Sequence, residues 1–234
     1  MGGADLLLPR LPHHRTQFSQ DAWREGNQRG SGRAGSAARH CGCAADYVWG
    51  CKLMGKRSDF ARIPRDFYPT PIAAVLPLLP HLPDEFSYWE PCAGDGALIN
   101  HLADHKKVSY CAASDIEPRC LIPKADALEQ QPTSRTSVDY IITNPPWDRK
   151  ILHPMIAHFS AMRPTWLLFD ADWIHTRQSA PYMPWLRKIV SVGRVKWIPD
   201  SKMTGKDNCA WHLFDQRTDG PTEFVGRIMS GGVV

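Results

Sequence analysis

No apolar run in these 234 residues approaches the ~18 needed to cross a bilayer, so a membrane-spanning helix is excluded and no membrane partner is expected. Leu6-Leu7-Leu8 opens an apolar stretch, but Pro9 and Arg10 end it too early for the apolar region of a secretory leader. Cysteine is sparse: seven residues, an odd count scattered along the chain, exclude a disulfide framework and fit a reducing cytoplasm. His40-Cys41-x-Cys43 with Cys51 lacks a second close pair of ligands, so no metal site is expected. An excess of one charge is missing as well. Residues 1–53 hold seven Lys/Arg and four Asp/Glu, leaving 21 against 20 for the rest of a chain whose net charge is +4. Net charge therefore argues for no nucleic-acid partner, and any basic face must be local. There is no internal repeat.

Two compositional zones are present. Gly26 to Gly42 is rich in Gly, Ser, Ala and Arg without apolar periodicity, and such a stretch cannot bury enough surface to offset its ordering entropy. Residues 1–53 are therefore expected to be a disordered or loosely attached basic segment, with a basic arm for nucleic acid as the alternative. From Met54 the sequence is domain-like, giving one domain over 54–234.

That domain alternates strands and helices. Phe86-Ser87-Tyr88-Trp89 reads as a strand, Ala97 to Leu102 as a helix, and Val108 to Ser114 as a second strand. Val138 to Thr143 follows as a strand. Ile151 to Met162 is helical, with Pro154 in its first turn, and Thr165 to Phe169 is a strand buried on both faces. Asp170 to Arg177 is a loop, and Tyr182 to Val190 is helical. Val195 to Pro199 and Ala210 to Phe214 are the last two strands, joined without a helix. The pattern predicts an α/β fold with a doubly wound, mostly parallel sheet.

Two stretches carry chemistry. Asn144-Pro145-Pro146-Trp147 follows a strand, and its prolines stiffen the backbone where the strand ends. The Asn144 carboxamide oxygen and the Pro145 carbonyl are two acceptors, and Trp147 offers a flat face. Together they suit a planar –NH2 group; the plainer alternative is a proline turn closing a strand, with Trp147 in the core. Upstream, Glu90-Pro91-Cys92-Ala93-Gly94-Asp95-Gly96 joins a strand to a helix, the arrangement that places a ligand at the carboxyl end of a parallel strand. It lacks the G-x-G-x-x-G spacing, and Glu90 and Asp95 would repel a pyrophosphate. Acids there fit a ligand with a positive centre and ribose hydroxyls.

In this order the two motifs resemble the S-adenosylmethionine-dependent amino-methyltransferases. They look most like the adenine-modifying DNA methyltransferases of phages and prophages, over roughly Asp59 to Asp215. The resemblance implies a Rossmann-like class I sheet of about seven strands with a terminal antiparallel hairpin. It also implies S-adenosylmethionine as cofactor and methyl transfer to the exocyclic amine of adenine in DNA. Tyr68-Pro69-Thr70-Pro71, with Thr70 as N-cap and Pro71 at the first helical position, resembles the segment that holds the cofactor's methionine end. Asp115 at the end of the second strand is the expected ribose acceptor, with Glu117 as rival and Ile116 packing on adenine. Asp126, followed by Ala127, is expected to meet the adenine amino group. Arg149 and Lys150, the loop from His175 to Arg177, and Lys202 to Lys206 are candidate nucleic-acid contacts, each also readable as a solvated surface. Alternatives are an RNA base or a protein glutamine amide as substrate, or an inactive cofactor-binding partner subunit. A monomer is the default expectation.

Overall fold

The computed structural model describes residues 67–130, 137–198 and 204–227, all within the unit Leu53–Val234. The expected N-terminal segment 1–53, the His40/Cys41/Cys43/Cys51 group, the domain start at Met54 and Lys202 lie outside the described residues.

Seven strands form one sheet: β1 Glu85–Glu90, β2 Lys107–Ala113, β3 Tyr140–Thr143, β4 Thr165–Asp170, β5 Leu186–Gly193, β6 Cys209–Phe214 and β7 Glu223–Val225. Their order is β2-β1-β3-β4-β6-β5-β7. β1 pairs in parallel with β2 and β3, and β3 with β4, whereas β6 runs antiparallel to both β4 and β5. The expected mostly parallel, seven-stranded sheet with an antiparallel hairpin is what forms. Side chains alternate between its faces with the strand period of two. Trp166, Leu168 and Trp211 pack with α1 (Ile72–Val75) and α2 (Ala97–His105) on one face. Leu167, Phe169 and Phe214 pack with α3 (Arg149–Met162) on the other. The Trp211 indole N–H donates to the Ala74 carbonyl at 2.8 Å and ties the short α1 to the sheet.

Several boundaries differ from the sequence expectation. The hairpin's first strand is Leu186–Gly193; of the strand expected over Val195 to Pro199, residues 195–198 are irregular and Pro199 lies outside the described residues, and the helix expected over Tyr182 to Val190 does not form. Pro181 and Pro184 limit Arg177–Trp185 to 3-10 turns, and the β-branched run that follows is taken up beside β6. Asp170 to Arg177 is not plain loop either: Ala171–His175 is a 3-10 helix. α3 begins at Arg149, because Asp148 accepts from the Lys150 N–H at 3.0 Å as its N-cap. That start puts Pro154 in the second turn rather than the first. α1 has only four residues, and its N-cap is Pro71, not Thr70.

From β1 the chain crosses to β2 on one side and later returns to β3 on the other. The carboxyl ends of β1 and β3 therefore diverge, and a crevice opens at this switch point.

Candidate active site

The crevice is a cavity of about 540 Å³, lined by residues 67–70, the turn after β1, residues 115–117, Arg119, residues 126–128, Asn144, Pro146 and the start of α3. Its floor is Glu90, the last residue of β1 and only 2% exposed. Glu90 Oε2 has no hydrogen-bond partner among the described residues. Burial first, then Asp115 and Asp95, hold this carboxyl well above its ordinary pKa. Beside it, burial and then Asp115 push the Cys92 thiol above its ordinary pKa.

Gly94 shapes the turn. It sits at φ +55°, and a Cβ there would lie 2.9 Å from the Phe67 ring. A side chain would thus strain the backbone and displace Phe67 from the mouth of the cavity. The Gly94 N–H donates to Asp115 Oδ2 at 2.8 Å, and the Glu117 N–H donates to Asp115 Oδ1 at 2.7 Å. Asp115 thereby joins the turns that follow β1 and β2. Both Asp115 and its rival Glu117 line the cavity, as does Ile116, 46% exposed. Asp126 also lines it and accepts from the Leu128 N–H at 2.9 Å, with Ala127 buried beside it.

Asn144 lies just past β3. Its Nδ2 donates to Thr70 Oγ1 at 3.2 Å and to the Tyr68 carbonyl at 3.4 Å. Thr70, expected to cap a helix, instead orients this carboxamide. With Nδ2 engaged, Oδ1 is the end of Asn144 left to accept a donor. Of the other residues singled out from sequence, Tyr68, Thr70, Pro91, Ala93, Asp95 and Pro146 line the cavity, whereas Pro71, Gly96, Pro145 and Trp147 do not. Trp147 is half-buried against both core clusters, and its indole N–H donates to the Leu168 carbonyl at 3.2 Å. Trp197 meets it edge-on at 5.8 Å and reaches Tyr68 at 6.4 Å.

Arg149, Lys150, His175, Arg177 and Lys206 are exposed, and Arg149 bonds to the Gln178 side chain. The β4–β6 and β5–β6 registers place 170–177, 194–198 and 204–208 at the carboxyl edge that carries Asn144. Phe67, Arg119, Asp148, Ile151 and Met155 line the cavity without having been singled out from sequence. Ile151 and Met155 had a signal, being four apart on one face of α3. Arg119 and Trp197 had none, since only folding brings their segments to the crevice. Among the described residues there is no cluster of metal-ligating side chains, and no helix is long and apolar enough to cross a membrane.

The sheet, with β6 inserted antiparallel between β4 and β5, has the Rossmann-like class I form that the resemblance implied. No protein-family model and no curated protein sequence matches the chain. Some solved structures are similar to it. A dimethyladenosine transferase from Plasmodium falciparum has a TM-score of 0.45 at 13% identity, over 64% of this chain and 63% of its own. A Listeria monocytogenes protein assigned as a class I S-adenosylmethionine-dependent methyltransferase gives 0.47 at 10%, over 72% and 68%. A Vibrio vulnificus protein assigned as the modification subunit of a type I restriction enzyme gives 0.44 at 15%, over 71% and 48%.

Proposed function

We propose that this chain is an S-adenosylmethionine-dependent methyltransferase acting on the exocyclic amine of adenine in DNA. The observation that carries the reading is the Asn144 carboxamide, held by Thr70 and Tyr68 at the edge of an acidic crevice at the switch point. The cavity fits the cofactor on two counts. Its buried floor presents the unpartnered Glu90 Oε2, which suits a cationic ligand, and the bare Gly94 turn leaves room for close approach. When bound, the cofactor supplies an electrophilic methyl group.

The residues then orient the reaction. An aromatic amine is a weak nucleophile because its lone pair is delocalised into the ring. Acceptance of its N–H groups by Asn144 Oδ1 and the Pro145 carbonyl favours a tetrahedral nitrogen with its lone pair free to attack. That is positioning toward the transition state, not covalent catalysis. A carboxamide cannot take the proton, which leaves after transfer. The Leu168 carbonyl fixes the plane of Trp147, and a fixed ring is what stacking requires. Because Trp147 is packed against Trp197, admission of a base involves movement of the 194–198 segment. In duplex DNA the adenine must also leave the stack. The exposed cations along the carboxyl edge support a phosphate-bearing substrate.

Tritiated-methyl transfer by the full chain, offered DNA, RNA and protein in parallel, tests this. Label is expected in adenine of DNA. Label confined to RNA or protein would overturn the substrate, and absence of S-adenosylmethionine binding by calorimetry would overturn the whole reading.

A further inference from the structure

Arg119 is the one cation among the described residues lining the cavity, against six acidic side chains: Glu90, Asp95, Asp115, Glu117, Asp126 and Asp148. Such a lining attracts a positive ligand and repels any anionic group the same ligand carries. Arg119 is held in place. Its backbone N–H donates to the Gly94 carbonyl at 2.9 Å, and its guanidinium carbon lies 3.6 Å from the centroid of the Phe67 ring. Stacking on Phe67 uses one face of the guanidinium and leaves its N–H edge for planar, bidentate recognition. No ion pair joins Arg119 to a carboxylate among the described residues. The other charge-complementary anion holder at this end is weak, because α1 is only four residues long; the Thr70 hydroxyl, which accepts from Asn144, adds a neutral donor but no charge.

We propose that Arg119 receives the carboxylate of the cofactor's methionine portion, fixing the direction in which the cofactor lies and selecting the zwitterion over compounds lacking that group. The inference rests on the S-adenosylmethionine reading and goes beyond it to a residue that sets specificity. Phe67 immediately precedes Tyr68, whose carbonyl accepts from Asn144, and its ring lies against Gly94, so the stacked guanidinium is on the side of the cavity where the 67–70 segment meets the Gly94 turn.

Calorimetry on the full chain with S-adenosylmethionine and with its decarboxylated form separates charge recognition from packing. Arg119→Gln should weaken S-adenosylmethionine by about tenfold or more, the worth of a charge-assisted hydrogen bond. Binding of the decarboxylated form should be unchanged. Arg119→Lys should recover only part of the loss, because an ammonium neither stacks as a plane nor bonds as a fork. If both ligands weaken in parallel, Arg119 merely holds Phe67 and the proposal is overturned. It is equally overturned if neither changes. A wild-type chain that binds neither ligand would instead overturn the cofactor reading on which the proposal stands.

Discussion

Glu90 carries its carboxyl group 2% exposed beside two other acids, and the resulting pKa shift has a definite sign. Because its pKa is raised above the ordinary 4.5, the native state holds a proton that the unfolded chain has released. Its stabilising contribution is complete below pH 4.5 and is lost as pH rises through the folded-state pKa. Glu90→Gln should therefore raise the melting temperature at neutral pH and flatten its decline with pH, which thermal melts across the range will show. A cationic ligand favours the ionised form, so wild-type affinity for S-adenosylmethionine should rise with pH while that of Glu90→Gln stays level. Asn144 belongs to the same scale but to a different step. Asn144→Ala should remove ~2.7–4 kcal/mol of transition-state stabilisation, the cost of one positioning group. Cofactor affinity should be nearly unchanged, because in the proposed function Asn144 Oδ1 faces the substrate amine and not the cofactor. Near-normal turnover of the variant on DNA, RNA and protein amides alike would reduce Asn-Pro-Pro-Trp to a strand-closing turn.

Elements show where local rules yield to neighbours. α3 runs through Pro154, which lacks the N–H that would reach the Lys150 carbonyl, and the proline is exposed. Pro154→Ala should stabilise the protein by up to ~3 kcal/mol, reduced by the greater freedom of the unfolded chain. A rise in the urea midpoint at unchanged slope would show it; a fall would mean that the proline relieves strain within α3. The turn after β1 depends instead on Asp115, whose two oxygens accept from Gly94 and Glu117. Asp115→Ala should cost ~1–3 kcal/mol of cofactor affinity, since two backbone donors lose their acceptor at once. Unchanged affinity by calorimetry would remove Asp115 from the site.

At the scale of the molecule, one sheet has its two faces covered by different helices, and the crevice exists because successive strands leave β1 on opposite sides. A chain beginning at Met54 should keep its melting temperature and methyl transfer, as the composition of residues 1–53 implies little contribution to the core. A large drop in either would show that the N-terminal segment docks or binds substrate.

The fold class was legible in the sequence, as was the strand-end position of the two stretches that border the crevice, because both rest on local patterns. Short β-branched runs alternate with helical spacing, and Glu90-to-Gly96 and Asn144-to-Trp147 each follow a strand. Which strand completes the hairpin was not legible. Leu186 to Gly193 and Val195 to Pro199 are both apolar and β-branched, and only the vacant position beside β6 chose between them. The role of Thr70 was likewise decided by tertiary structure. A threonine before a proline suits a helix cap, but the hydroxyl turned to Asn144, 74 residues away. Trp147 looked free to stack, yet the Leu168 carbonyl and Trp197 hold it against the core. Arg119 and Phe67 face one another across 52 residues of chain, and no spacing rule acts over that distance. Local propensity specifies strands, turns and the chemistry that follows them, whereas partners between distant segments are set by the packing of the whole sheet.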